Sequence, residues 1–375
     1  EEAITLLDDI DDVKDGRVNR VAAQHLLSEI YISLGDYKKA IDMASNVINN
    51  PHMALMTMRF GSRKNDLEGN PYWDLFQLEN QNRSASGNKE TILALQYEED
   101  NAGSKNGCFF PRYILPMYFS AMVKGKNGKN VVAFKAFTSE KGGRGIGVIH
   151  PTQHFLKEIW GKDFANDYRN SNKMIIRDCR IDNPNAEGFG QWLIKDGWIR
   201  TADTLRNFYP LVMKFSRSGY FPETSLQKNA DGSYKLTDLG EHYLLNINNS
   251  CNFSFKDEYL FRLAGTYLLR AEAYFKAGNK EKAAEDINKL RDRANASHVT
   301  AAEMTMNLIL DEQMRELYFE DFRVQTLCRL GLLVDRSRRY NPTGYNTLDH
   351  QNLLPIPYSE IERNIFGTIE QNLGY

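Results

Sequence analysis

Two kinds of side chain are in excess in this chain, and together they could hold a ligand. Its 375 residues include 43 aromatics (4 Trp, 19 Tyr, 20 Phe) and 33 asparagines. Flat rings cover the apolar face of a pyranose, and planar polar groups bond its paired hydroxyls, so this pairing suits neutral polar ligands such as sugars. A large core also consumes aromatics, and composition by itself favours that plainer explanation. Two local clusters sharpen the question. FGQWLIKDGWIR sets Trp192 and Trp198 on a glycine-flanked stretch, with Gln191, Lys195, Asp196 and Arg200 around them. GNPYWDLFQLENQNR sets Tyr72 and Trp73 after a Gly-Asn-Pro turn and among amides. Apolar rings are costly to leave bare on a loop unless something stacks on them. The expected ligand platform is therefore Trp192 and Trp198, aided by Tyr72 and Trp73, with Gln191, Asp196 and Arg200 as polar contacts. For either cluster the competing explanation is a set of rings pinning a loop to the core. Phe76 is assigned to the core outright, and Trp160 reads as core rather than platform.

No catalytic constellation is expected. The seven histidines include no HExxH, and Pro151 separates His150 from His154, which argues against a metal-binding helix face. Cys108, Cys179, Cys251 and Cys328 lie far apart, with no CxxC, so neither a zinc module nor a disulfide scaffold is expected. GGRGIGVIHPT lacks the Lys-Ser/Thr ending of a phosphate-binding loop. Glu312, Arg315 and Glu316 fall on helical spacings and read as a buried ion-pair network rather than as an acid/base pair. No cofactor and no metal is implied.

The bulk properties narrow the classes further. Lys+Arg 47 against Asp+Glu 49 gives a net charge of −2, which does not favour nucleic-acid binding by bulk charge. A hydrophobic fraction of 42% supports a real core, and no stretch approaches the roughly 20 apolar residues of a membrane span.

The elements that must position these residues begin with an internal repeat. Segments 22–48 and 266–294 superpose, with Tyr31, Gly35 and Ala40 matching Tyr274, Gly278 and Ala283. Each glycine can end a helix in the left-handed conformation, and each alanine lets a second helix cross closely. This is a tetratricopeptide-type helical hairpin. Paired helices are expected at about 18–50 and 258–295, packed on each other and on a third helical block at 304–333. Residues 151–169 read as one helix. From 101 to 252 the chain turns glycine- and asparagine-rich, with short strands, and Asn127-Gly128 signals a β-hairpin. The opening EEAITLLDDIDD reads as the inside of a helix with no targeting signal, so the chain is expected to be the C-terminal part of a longer protein.

Five segments, in order, resemble the SusD/RagB family, the surface nutrient-binding lipoproteins of Bacteroidetes. They are the first repeat, KETILALQY, PTQHFLKEIWGKDFANDYR, the second repeat, and EQMRELYFEDFRVQTLCRLG with LLPIPYSEIERN and the terminal QNLGY. Gln313 and Leu373 depart from the family pattern, which usually has Arg and Pro there. The resemblance implies a mainly α fold, with tetratricopeptide-like hairpins as a scaffold and a large irregular region containing short strands. It implies a single domain over 1–375, divided into a helical repeat (1–60), an irregular ligand-side region (61–255), a repeat with its packing helix (256–335) and an extended tail (336–375). It also implies a non-enzymatic outer-membrane receptor that passes an oligosaccharide to a SusC-type TonB-dependent transporter. The membrane would be reached only through an N-terminal lipid anchor that this chain lacks. A peptide-binding receptor of the same family and an intracellular repeat scaffold are the alternatives.

Overall fold

A computed structural model describes residues 1–98, 101, 107–200, 206–215, 221, 223–245 and 254–375. Cys251 lies outside them. Among the described residues, seven helices of seven residues or more carry the architecture. They are α1 (Arg20–Ser33), α2 (Tyr37–Ile48), α3 (Leu263–Lys276), α4 (Lys280–Arg293), α5 (Met306–Leu317), α6 (Arg323–Arg329) and α7 (Leu333–Tyr340). The two hairpins form as the repeat predicts. Gly35 and Gly278 sit at φ +76° and +84°, and Asp36 and Asn279 cap the helices that follow. Ala40 and Ala283 are fully buried where the helices cross. Helix α2 packs on α3, and α5 packs on α3 and α4, so both repeats share one helical layer.

Three expectations about helix limits change. Residues 258–262 are a strand, not the start of the second repeat. That strand, β6 (Glu258–Arg262), pairs antiparallel with β1 (Thr91–Leu95), with Thr91 opposite Arg262. The block from 304 to 333 breaks after Leu317, where Phe319 takes a positive φ of 64°. The stretch from 151 to 169 is three short turns rather than one helix. Gly161 is non-helical, and the Trp160 indole donates to the Phe155 carbonyl (2.6 Å), folding the stretch back on itself.

Among the described residues between the repeats lie two small ladders. Strands β2 (Met122–Lys124) and β3 (Asn130–Val132) form the hairpin expected at Asn127-Gly128, with Gly128 at φ +78° closing a three-residue loop. Strands β4 (Ile175–Ile176) and β5 (Leu211–Val212) form the other. Two aromatic-rich cores result. One gathers Tyr72, Trp73, Phe76, Phe155, Trp160 and Tyr318; the other gathers Tyr118, Phe134, Ile181, Leu193 and Phe208.

At the centre the elements converge on buried charge. Helix α5 projects Glu312 and Glu316, one turn apart, into a space ringed by arginines. Arg169 reaches Glu312 at 2.7 Å and Glu316 at 3.1 Å, and Arg262 reaches Glu316 at 2.6 Å. Arg293 also bonds Glu316, and Glu90 bridges Arg262 (2.8 Å) and Arg293 (3.0 Å). Glu320 pairs with Arg262 and with the fully buried Lys214. Burial alone would push the Glu312 carboxyl up, but Arg169, Arg315 and Arg291 outweigh it and hold it at about 2. Glu316 is held well below the ordinary carboxylate range by Arg293, Arg262 and Arg169, also against burial. These charges are structural, as the helical spacing suggested.

A second charged junction fastens the C-terminal region. The buried His154 places Nδ1 2.8 Å from Glu158 and Nε2 3.0 Å from Asp311. Only the doubly protonated ring donates to both carboxylates. The same ring stacks on Tyr340 of α7, and Arg336 of α7 bonds Asp311. Beyond α7 the tail closes on itself. Gln371 exchanges two 2.8 Å hydrogen bonds with the Ile356 backbone, and the Tyr375 hydroxyl donates to Leu353.

Two outcomes are expected. Glu316→Gln leaves three buried arginines short of an anion and should cost about 3–5 kcal/mol in denaturant unfolding; a loss below 1 kcal/mol would contradict a central role. Burial depresses the His154 pKa, but Asp311 and Glu158 outweigh it and raise the value above 6.5. Its contribution is therefore complete below pH 6.5 and fades as pH rises through the higher folded value. The melting temperature should fall over that window in the parent chain, and His154→Gln should flatten the fall.

Candidate functional site

The four aromatic residues expected to form one platform lie in two different places. Tyr72 and Trp73 are core, with exposures of 0% and 2%. The Gly-Asn-Pro sequence that reads as an open turn is a helix start: Asn70 caps the Trp73 N–H at 2.9 Å, and Pro71 occupies the first turn of Pro71–Asp74. That single turn drives both rings inward. Tyr72 donates its hydroxyl to the Glu316 carbonyl (2.8 Å), and its ring lies among Lys214, Arg262 and Arg293. Trp73 is roofed by Arg59, Arg63 and Lys173, each 5–6 Å from its ring centre. Neither residue is available to a ligand, and both are withdrawn from the platform.

Trp192 and Trp198 remain partly exposed, on the segment 178–200 beside the second core. Backbone alternation explains the exposure. Residues 179–181 run antiparallel to 191–193, with Arg180 opposite Trp192. Cys179, Ile181 and Leu193 point into the core, which sends Arg180 and Trp192 outward. The Arg180 guanidinium lies 5.2 Å from the Trp192 ring centre.

Two carboxylates hold this segment in shape. Asp178 accepts backbone N–H bonds from Cys179, Ile194 and Lys195 at 2.8, 3.0 and 2.9 Å. Asp196 accepts the Trp192 N–H at 2.7 Å, so its first task is structural, although it is exposed. Trp198 lies flat against Gly188, where any Cβ would stand 2.2 Å from the indole, and its Nε1 donates to the Gln191 side chain at 2.8 Å. It thus packs on the second core as well as facing solvent, and is less free of the fold than its glycine-rich context suggests. Gln191 and Arg200 are exposed on the same segment.

Asp178 and Arg180 were missed by sequence reasoning. The available signal was the alternation of buried and exposed positions over Cys179, Arg180 and Ile181, only three residues long. An open groove of about 680 Å³ lies elsewhere, lined by Lys14, Asp15, Asn82, Arg83 and Gln96 among others. It holds no aromatic ring, and its polar groups are bonded to one another: Asp15 accepts from Arg83 and Ser84, and Gln96 donates to Asn82. It lacks the stacking surface that a sugar needs. Among the described residues no cluster of His, Cys, Asp or Glu has the makings of a metal site, and no helix is long and apolar enough to cross a membrane.

The comparisons with known proteins agree with this architecture. The model of the SusD family matches residues 89–375, and a tetratricopeptide-repeat model matches 21–48, which is the α1–α2 hairpin. The starch-binding protein SusD of Bacteroides thetaiotaomicron is 37% identical over 121 residues, covering 31% of this chain and 21% of that protein. SusD-like protein P25 of Formosa agariphila is 27% identical over 270 residues, 61% of this chain and 51% of that one. The chain thus spans about a fifth to a half of the length of these curated relatives. The surface glycan-binding protein A of B. thetaiotaomicron, solved in complex with laminarihexaose, shares the fold at a TM-score of 0.56 and 21% identity, over 99% of this chain and 68% of that one. With the family model covering three quarters of its length and both helical hairpins in place, the chain belongs to the SusD family.

Proposed function

We propose that this protein captures an oligosaccharide at the cell surface, with the segment 178–200 as part of the recognition surface and Trp192 as its stacking residue. The observation that carries the reading is a partly exposed indole on a backbone held by Asp178 and Asp196. A ring already fixed in place loses little freedom on stacking, which is the advantage of preorganisation. Trp198, Gln191 and Arg200 lie on the same segment, with the Trp198 indole donating to Gln191, and would supply a second apolar face and polar contacts. Family membership supports the same reading, since a relative binds starch and a structural neighbour holds laminarihexaose.

The remaining parts of the reading follow the family. The protein acts at the outer membrane as a lipoprotein, delivers its ligand to a SusC-type TonB-dependent transporter, and does not cleave what it binds. The most evident carboxylate pair, Glu312 and Glu316, is fully buried and committed to arginines, so it cannot serve a glycosidic bond. A peptide ligand is the competing reading, and no feature of the surface favours it.

Three substitutions and one assay test this. Trp192→Ala should weaken oligosaccharide binding by about 1–3 kcal/mol with little change in melting temperature. Trp198→Ala should lower both affinity and melting temperature, because its indole also packs on the second core. Trp73→Ala should behave as a core truncation, losing about 3–5 kcal/mol of stability. Unchanged affinity in Trp192→Ala, measured by titration calorimetry on folded protein, removes this surface from the site. Release of reducing ends from the bound oligosaccharide by purified protein would show that the chain is an enzyme after all.

A further inference from the structure

We infer that the surface around Trp192 selects an anionic glycan, one carrying a carboxylate or sulfate next to the sugar face that stacks on the indole. The inference rests on the reading of segment 178–200 as the ligand surface and names the class of ligand it prefers.

Each carboxylate of segment 178–200 is already committed. Asp178 is occupied by three backbone N–H groups, and Asp196 by one. Asp182 accepts the Lys135 N–H at 2.7 Å and pairs with the buried Lys141. Glu187 pairs with Lys124 at 3.0 Å. The acids of the segment are thus turned to structural work. Arg180 and Lys195 are both exposed, and neither has a carboxylate partner among the described residues. The adjoining β2–β3 hairpin adds to the same sign. Its Lys126 N–H bonds the Asn185 carbonyl, and Gly125 pairs with Ala186, so the hairpin lies against the segment. Residues 121–135 and 178–200 together hold seven Lys/Arg against four Asp/Glu, in a chain whose overall charge is −2.

The geometry gives this charge a purpose. The backbone bridge between Arg180 and Trp192 sets the guanidinium 5.2 Å from the centre of the very ring that a sugar would stack on. A neutral sugar covering Trp192 takes water from the guanidinium and offers no charge in return. A uronate carboxylate or a sulfate ester offers two coplanar acceptor oxygens, which match the guanidinium fork. Stacking and ion pairing then act on one sugar residue, with the backbone of both partners already set by the ladder.

The test titrates the full chain with three probes of similar length: laminarihexaose, an oligogalacturonate and a sulfated galactan oligosaccharide. The anionic probe should bind roughly tenfold tighter than laminarihexaose at low salt, with the advantage shrinking at about 0.5 M NaCl. Preference for the galacturonate assigns a carboxylate, and preference for the galactan assigns a sulfate. Arg180→Gln should abolish the advantage and Arg180→Lys should retain part of it, both at an unchanged melting temperature. If laminarihexaose binds as tightly as the anionic probes and Trp192→Ala weakens it, the ligand surface stands and the anionic preference falls. An anionic preference that survives Arg180→Gln overturns the inference equally. If no probe depends on Trp192, or none binds, the reading of the surface itself fails and the inference goes with it.

Discussion

The interaction on which the rest of the structure depends is the ionised Glu316 carboxylate inside a ring of arginines. Arg169 arrives from a short turn in the irregular region, Arg262 from the end of β6, and Arg293 from the end of α4. Glu90, just ahead of β1, closes the far side. An isolated buried charge is expensive, and its partners must come close with good hydrogen-bond geometry to offset the lost hydration. The cluster therefore constrains four separate parts of the chain to one point. The β1–β6 register, the ends of two helices and the Tyr168–Asn170 turn are all set by that demand.

Much of the helical architecture was legible in the sequence, because its causes are local. A glycine that ends a helix, an alanine at a crossing and an asparagine or aspartate at a cap act within a few residues. The Glu312/Glu316 spacing was legible for the same reason, since one helix carries both groups. Tyr72 and Trp73 were not: the Asn70 cap and Pro71 that turn them inward read equally as an open turn, and the groups that enclose them include Arg262, Arg293 and Lys173, which lie 100 or more residues away. The strand at 258–262 was hidden similarly: its partner β1 lies over 160 residues upstream, and EYLFR adjoins a strong helical pattern. Of the candidate surface, the two tryptophans were visible through glycine context, whereas Arg180 was visible only through an alternation too short to weigh.

The surface and the core use carboxylates in different ways. In the core they are held ionised by guanidinium groups and exclude water. In segment 178–200 they substitute for a regular sheet, with Asp178 and Asp196 capping backbone N–H groups that no neighbouring strand receives. This lets an irregular stretch be rigid without a large ladder. A loop held by its own side chains can change the residues between the anchors freely.

The central cluster also has a consequence for how the chain comes into being. Glu90 leaves the ribosome about 170 residues before Arg262, a wait of roughly 10–35 s at ordinary synthesis rates, and Glu316 follows later still. Until then the early carboxylates and arginines stay hydrated, and the first hairpin has no α3 to cover it. Closure is a late, long-range step whose loop entropy falls due all at once. The cluster thus acts as a test of completeness: in a chain cut short before α5 ends, Glu90 and Asp167 are left to answer Arg169, Arg262 and Arg293 without the Glu316 carboxylate that joins all three.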